Sequence, residues 1–316
     1  MDNLTHTLTG LALSRAGLNR FHARPDLLLM IAANIPDIDM LSLLGGPLTG
    51  LDVHRGWTHS LLMWPVMALV PALLVMGISR STKGWSGAYA LSLIGVASHL
   101  LLDWTNTYGI RLLFPFSPAW LHLDLNAIVD VWIWIVLLLA WLGPMLGRLV
   151  SSEIGAKPGT GRGLPMFALL FVVVFCCGKA LLHQRALAVL NARIYDGAPP
   201  SSVAAFPTEV NPLAWTGWVE TEHRTIRYNW SLAAEFDPAL GTMFYKPEPS
   251  PALEAARRTE PFERFLHFVQ YPLWSVVPIS DPEGASRVQL RDERLGFRAT
   301  AVVDAGNHVL SSGFHF

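Results

Sequence analysis

The sequence predicts a mainly α-helical, polytopic membrane bundle followed by a small extramembrane α+β domain. Three observations carry that expectation. Of the 316 residues, 52% are hydrophobic and only 15% are charged, against about 25% charged in an average soluble chain. Several runs within residues 1–182 are long and apolar enough to cross a bilayer. Beyond residue 183 charged residues become frequent, and the apolar pattern shortens to a period of two, as in half-buried strands.

The elements follow in order. Residues 4–18 make a short apolar helix with His6 at its start, and residues 27–44 an apolar run interrupted by Asn34-Ile35-Pro36-Asp37-Ile38-Asp39. Residues 61–79, 127–146 and 164–182 read as spanning helices. Pro65 and Pro71 fall inside the first of these, which a membrane helix tolerates when neighbouring groups re-satisfy its backbone. Residues 88–104 form a shorter run that ends on His99 and Asp103. In the polar half, residues 225–232 place Ile226, Tyr228, Trp230 and Leu232 on one face, and residues 295–303 align Leu295, Phe297, Ala299, Ala301 and Val303. Both patterns predict strands. Residues 251–270 read as helix interrupted near Pro261. The expected organisation is a membrane-embedded domain over 1–182, a helical linker over 183–210 and an extramembrane α+β domain over 211–316.

Charge and cysteine usage exclude some functions. A net charge of −1 gives no overall basic surface, so no nucleic-acid partner is expected. Cys176 and Cys177 are adjacent in an apolar run and supply neither a disulfide framework nor a metal-binding spacing. The start Met1-Asp2-Asn3-Leu4-Thr5-His6 lacks a basic segment followed by an apolar one, so membrane entry is expected from internal segments. Arg15, Arg20 and Arg24, then Arg80 and Lys83, then Arg148, Lys157 and Arg162 fall in alternate loops. The positive-inside rule puts those loops in the cytoplasm. The remaining loops and the C-terminal domain are then expected on the non-cytoplasmic face.

The residues able to bind a metal gather toward that same face. They are His6, Asp37, Asp39, His54, His59, His99, Asp103, Asp124 and Asp130. His99 and Asp103 are four apart, so on a helix they point to one side. Imidazole nitrogen with carboxylate oxygen suits Zn²⁺, or Mn²⁺ as the alternative, and the number of donors allows one or two ions. Such an ion lowers the pKa of bound water and makes a nucleophile of it. Bland readings stand beside this. An isolated intramembrane His or Asp can be a structural contact. Asp37 and Asp39 can simply follow a helix that Pro36 ends. Arg55 can be a phosphate anchor or a counter-ion, and Asn106 and Tyr108 can shape a turn before Gly109.

These motifs resemble the membrane-bound metal-dependent hydrolase family of bacterial inner membranes. The matching text is Thr5-His6, Asn34-Ile35-Pro36-Asp37-Ile38-Asp39, His54-Arg55-Gly56-Trp57-Thr58-His59-Ser60 and Ser98-His99 through Asp103, Asn106, Thr107, Tyr108 and Gly109. A more distant likeness is to zinc-dependent phospholipase C and the related single-strand nucleases, through His6 and His99-x-x-x-Asp103. The chain departs from them in lacking a second His-x-x-x-Glu pair after residue 103 in its membrane half. The resemblance implies an integral-membrane hydrolase acting on a phosphoester in a membrane lipid or lipid-linked substrate. In that reading His6, Asp37, His54, His59, His99 and Asp103 are metal ligands, Asp39 or Asp124 a second-sphere partner or general base, and Arg55 a neutraliser of a phosphate oxygen. Two other functions compete: a metal-ion or proton transporter, since intramembrane His and Asp also line ion paths, and a noncatalytic scaffold. His223, His267, His308 and His315 lack ligand spacing and read as surface or packing histidines.

Overall fold

The structure, a computed structural model, describes residues 1–80, 84–155 and 160–316. Lys83 and Lys157, used above for topology, lie outside the described residues. The chain divides into two compact units, Met1–Asp39 with Arg55–His183 and Pro207–Pro212, and Met40–His54 with Gln184–Phe206 and Leu213–Phe316.

The first unit opens with α1 (Asn3–Ala16), whose N-terminus is capped by the Asp2 carboxylate accepting from Leu4 and Thr5 N–H. Helix α2 (Pro25–Ala32) starts on a proline at its first turn, where a missing N–H costs nothing. It stops where the Asn34 amide bonds back to Met30 O at 2.8 Å and Pro36 enters; the chain continues as a 3₁₀ segment, Ile35–Gly45. After the second unit's short α3 (Pro47–Val53) come α4 (Trp64–Ser79), α5 (Trp85–Thr105), α6 (Val131–Glu153) and α7 (Gly163–Asn191). Among the described residues, α5, α6 and α7 are each long and apolar enough to cross a membrane, and two sharply bent helix pairs raise the number to five if each counts as one span. The expected ranking changes accordingly. Residues 88–104 belong to a full 21-residue helix, whereas 61–79 yields a helix only from Trp64, where Pro65 favours a start. Exposed Leu139, Leu146, Leu170 and Val173 on α6 and α7 suit a lipid phase, where apolar side chains face outward.

Helix α2 lies at the centre of this unit. Leu28 and Leu29 pack with Ala72, Val75 and Met76 of α4 and Ala88 and Leu91 of α5, while Ala32 packs with Met67, Ala68, Val96 and Leu100. Two glycines allow the approach. A Cβ on Gly10 of α1 would overlap the Leu29 carbonyl, and one on Gly95 of α5 would sit 2.5 Å from Ala32 Cβ. Gly10 is one turn from His6, and Gly95 one turn from His99. The faces that dock on α2 are therefore the faces that carry the histidines.

The second unit contains two four-stranded sheets, ordered β1-β2-β3-β4 and β5-β6-β7-β8. Their strands are β1 (Ser202–Pro207), β2 (Ala214–Glu220), β3 (Arg224–Ser231), β4 (Thr242–Tyr245), β5 (Pro272–Ile279), β6 (Ala285–Asp292), β7 (Arg298–Val303) and β8 (Val309–His315). Helices α8 (Pro251–Arg257) and α9 (Glu260–Leu266), broken at the Thr259-Glu260-Pro261 start of the second, bring Phe262 and Phe265 onto the second sheet, with Phe262 stacked on Trp274 and Phe265 against Phe314. Helix α3 docks against α9 and β8, tied by an Arg264–Asp52 ion pair at 2.6 Å. In the stretch 183–210, expected as a helical linker, the residues up to Asn191 are helical as the end of the continuous α7, and Ser202–Pro207 form β1. The second predicted strand begins only at Arg298, because Gly296, at φ 75°, closes a turn first.

A buried histidine–carboxylate cluster

Three elements of the first unit converge on one point. Asp37 comes from the 3₁₀ segment after α2, His59 from the single turn Trp57–His59, and His99 and Asp103 from one face of α5. His59, His99 and Asp103 are completely buried, and Asp37 nearly so. His59 Nε2 lies 3.0 Å from His99 Nε2, 3.4 Å from Asp37 Oδ1 and 3.5 Å from Asp103 Oδ2. His99 Nε2 lies 3.6 Å from Asp37 Oδ1 and 3.4 Å from Asp103 Oδ2. The ligand atoms of a regular tetrahedral zinc site, about 2.0–2.1 Å from the metal, stand about 3.3–3.4 Å apart. The five measured separations bracket that value.

The outer nitrogens of both histidines are engaged. His99 Nδ1 is 2.8 Å from the carbonyl of Ala33, the residue that ends α2. His59 Nδ1 is 3.3 Å from Asp39 Oδ2, an oxygen that also accepts from Thr58 Oγ1 at 2.5 Å and Arg55 N at 2.9 Å. With an acceptor at each Nδ1, the proton resides there and Nε2 keeps its lone pair. Two such lone pairs 3.0 Å apart repel unless a proton or a cation lies between them. Asp37 Oδ1 is buried with no aligned hydrogen-bond donor among the described residues; Asp103 Oδ2, also without an aligned donor, has the Arg55 guanidinium 3.1 Å away. An orphaned buried carboxylate oxygen is costly, and a divalent cation would satisfy Asp37 Oδ1 while sharing Asp103 Oδ2 with Arg55. The residues present therefore fit a metal ion by donor chemistry, spacing and unmet charge.

Arg55 is the counter-ion of this cluster. Its φ is 59°, and its side chain is buried. Nη2 stands 3.1 Å from Asp103 Oδ2, and Nη1 bonds Asn106 Oδ1 at 3.3 Å and Gly109 O at 3.2 Å. The guanidinium carbon lies 4.5 Å from the centre of the Tyr108 ring, a cation–π contact. Asn106 ties the arrangement together: Oδ1 accepts from Tyr108 and Gly109 N–H, and Nδ2 donates to Asp103 Oδ1 at 3.2 Å. The turn after α5 thus both shapes the loop and holds the carboxylate. The Met1 amino group also pairs with Asp103 Oδ1; burial first, and then Arg55, holds that amine well below its ordinary range.

The other expected site residues have definite places. His6 is completely buried and stacks on His99 at 3.8 Å. Its Nε2 is 3.2 Å from Asp103 Oδ1, and neither ring nitrogen has a hydrogen bond among the described residues. Asp39 holds His59. Asp124, at φ 53°, pairs with His122 Nδ1 at 2.8 Å. Asp130 caps α6 by accepting from Trp132 and Ile133 N–H. His54 ends α3 in the second unit. Three further groups shape the site without a role assigned from sequence: Thr58, the Ala33 carbonyl and His122. The first stands inside the His54–Ser60 motif and the third two residues before Asp124, but a backbone carbonyl has no sequence signal.

Spanning helices in the first unit, with acidic and imidazole groups buried among them, define a membrane-bound protein. Residues 1–186 match the YdjM inner membrane protein family, and the chain belongs to that family. It is also 25% identical to the uncharacterized protein YfhP of Bacillus subtilis (strain 168), over 97% of this chain and 92% of that one. No solved structure matches it.

Proposed function

We propose that the chain is an integral-membrane metal-dependent hydrolase acting on a phosphoester of a lipid or lipid-linked substrate. The observation that carries the reading is the close convergence of His59 Nε2, His99 Nε2, Asp37 Oδ1 and Asp103 Oδ2, at separations of 3.0 to 3.6 Å wherever a histidine is one of the pair, with Asp37 Oδ1 otherwise unmet. These four residues would hold Zn²⁺, or Mn²⁺. A His and Asp donor set without cysteine is the kind found at catalytic rather than purely structural zinc. When bound, the ion would supply Lewis acidity toward water and an ester oxygen, which would enter by expansion to five-coordination or by release of one of the four ligands. His6 Nε2, 3.2 Å from the second oxygen of Asp103, would be the donor available to a second ion. Asp39 would orient His59, and Arg55, paired with Asp103, would offset its charge.

Support for a lipid substrate comes from a shallow groove of about 480 Å³ in the same unit, lined by Leu27, Met30, Ile31, Ile35 and Ile38 and reaching Asp37. An apolar trough leading to a polar centre suits an acyl chain with its head group at the metal. For orientation we place the cluster on the non-cytoplasmic face. Arg15, Asp26 and Arg148 line one small cavity, so two of the basic loops share an end of the bundle. Along α1, His6 and Arg15 stand about 14 Å apart, which separates that end from the cluster.

The test is a chelator-controlled screen of phosphoester and carboxylester lipids with purified protein. Phosphoester turnover restored by zinc or manganese and lost in His99→Ala supports the reading. Metal retention without turnover of any ester overturns the enzyme, leaving a structural metal in a scaffold. Neither metal nor turnover overturns the site as well.

A further inference from the structure

The outer face of the sheet β5-β6-β7-β8 carries an unneutralised arginine cluster. Val288, Leu290, Ala299, Ala301 and Val303 turn inward and are buried. By alternation, Arg287, Gln289 and Arg291 of β6, Arg298, Thr300 and Val302 of β7, and Ser311, Gly313 and His315 of β8 turn outward. The register places Arg291 directly opposite Arg298, and Arg298 directly opposite His315. No acidic residue occupies an outward position on these strands; Asp281, Glu283 and Asp304 lie in the turns. Arg287, Arg291 and Arg298 make no ion pair or side-chain hydrogen bond with any described residue, unlike Arg224, Arg227, Arg264 and Arg294, which are all paired. An open depression of about 530 Å³ lies over this face, lined by Arg287, Arg298, Thr300, Ser311 and His315 among others.

Like charges directly opposite across a ladder are destabilising. Two facing arginines therefore await an anion, and guanidinium forks bind phosphate oxygens in pairs. Apolar Val277, 53% exposed on β5 opposite Arg287, and Val302 border the charges. No outward position holds a Phe, Tyr or Trp ring on which a nucleic-acid base could stack. Basic side chains mixed with short apolar ones fit an interfacial surface. The chain is anchored in a membrane, so phospholipid head groups are present at high effective concentration. We propose that this face binds the phosphate head groups of anionic phospholipids, with Arg291 and Arg298 as the primary anchor and Arg287 as a second contact.

The experiment uses the full chain with Cys176→Ala and Cys177→Ala, carrying bimane on Thr300→Cys, in nanodiscs that contain a little head-group nitroxide lipid. The bulk lipid is phosphatidylglycerol or phosphatidylcholine. Quenching is expected in phosphatidylglycerol, weaker at high salt and near baseline in phosphatidylcholine. Each Arg→Gln change at 291 or 298 should reduce the engaged fraction's equilibrium constant by about fivefold, and Gln289→Lys should raise it. Equal quenching in both lipids, or none in either, overturns the proposal. So does full release by inorganic phosphate or by a short oligonucleotide at matched phosphate concentration and ionic strength, which would assign the face to a soluble anion or a nucleic acid.

Discussion

Replacing Asp37 by Asn separates a metal ligand from a structural acceptor, because the two roles predict effects of opposite sign. Asp37 Oδ1 is buried, has no aligned hydrogen-bond donor, and no lysine or arginine pairs with its carboxylate among the described residues. The near-isosteric Asp37→Asn therefore removes an unmet negative charge without opening a cavity. In chelator-treated protein the variant should be as stable as the parent or more so, by up to about 1–3 kcal/mol, the cost of an unsatisfied buried polar group. Metal binding should suffer. At free zinc 100 times its dissociation constant, the parent gains about 2.7 kcal/mol from the ion. A hundredfold weaker site at the same zinc gains only about 0.4 kcal/mol. The assay is thermal melting in detergent, with chelator and across a zinc titration, on both proteins. The curves should cross: variant above parent without metal, parent above variant with it. If Asp37→Asn instead lowers the melting temperature equally in both conditions, Asp37 is a structural acceptor and the ligand assignment fails.

Asp39→Asn should weaken zinc affinity by about 10–100-fold while leaving stoichiometry unchanged, since Asp39 acts through His59 Nδ1; titration against a competing chelator reads this directly. Gly95→Val should force α5 away from Ala32, cost about 1–3 kcal/mol of stability and lower zinc affinity, whereas Gly77→Ala, with open space at its Cβ, should leave zinc affinity unchanged; melting and metal titration distinguish them. Cysteine probes at the exposed Phe116, in the loop between α5 and α6, and near the C-terminus should react with an impermeant reagent from outside intact cells, while probes at Lys83 and Lys157 should not; the reverse pattern inverts the proposed orientation.

Much of the cluster was legible because its residues come from short motifs at the ends of apolar runs. Helical spacing alone paired His99 with Asp103, and the break at Asn34-Ile35-Pro36 marked where Asp37 leaves regular helix. The division of roles was not legible. Whether Asp39 binds a metal or a histidine depends on Thr58 Oγ1 and Arg55 N, and the partner of His99 Nδ1 is a backbone carbonyl. The fold departed from expectation where contacts are remote. Residues 27–44 read as one interrupted span, yet Met40–His54 groups with the C-terminal unit. The Asp52–Arg264 pair in that unit joins residues 212 positions apart, beyond the reach of any local pattern. The strands near 225–232 and 298–303 were visible because each has one face buried, which imposes alternation. Strand β5 was not, since its side chains are half-exposed on both faces.

The central claim is that His59, His99, Asp37 and Asp103 hold a metal ion. Elemental analysis of the purified full-length chain, beside His99→Ala and Asp103→Asn variants confirmed to insert, tests it most directly. The account predicts one or two equivalents of zinc or manganese per chain in the parent, removable by chelator and restored on dialysis, and well under half an equivalent in each variant. The same metal content in all three proteins, or none in the parent after zinc or manganese is supplied, would contradict it.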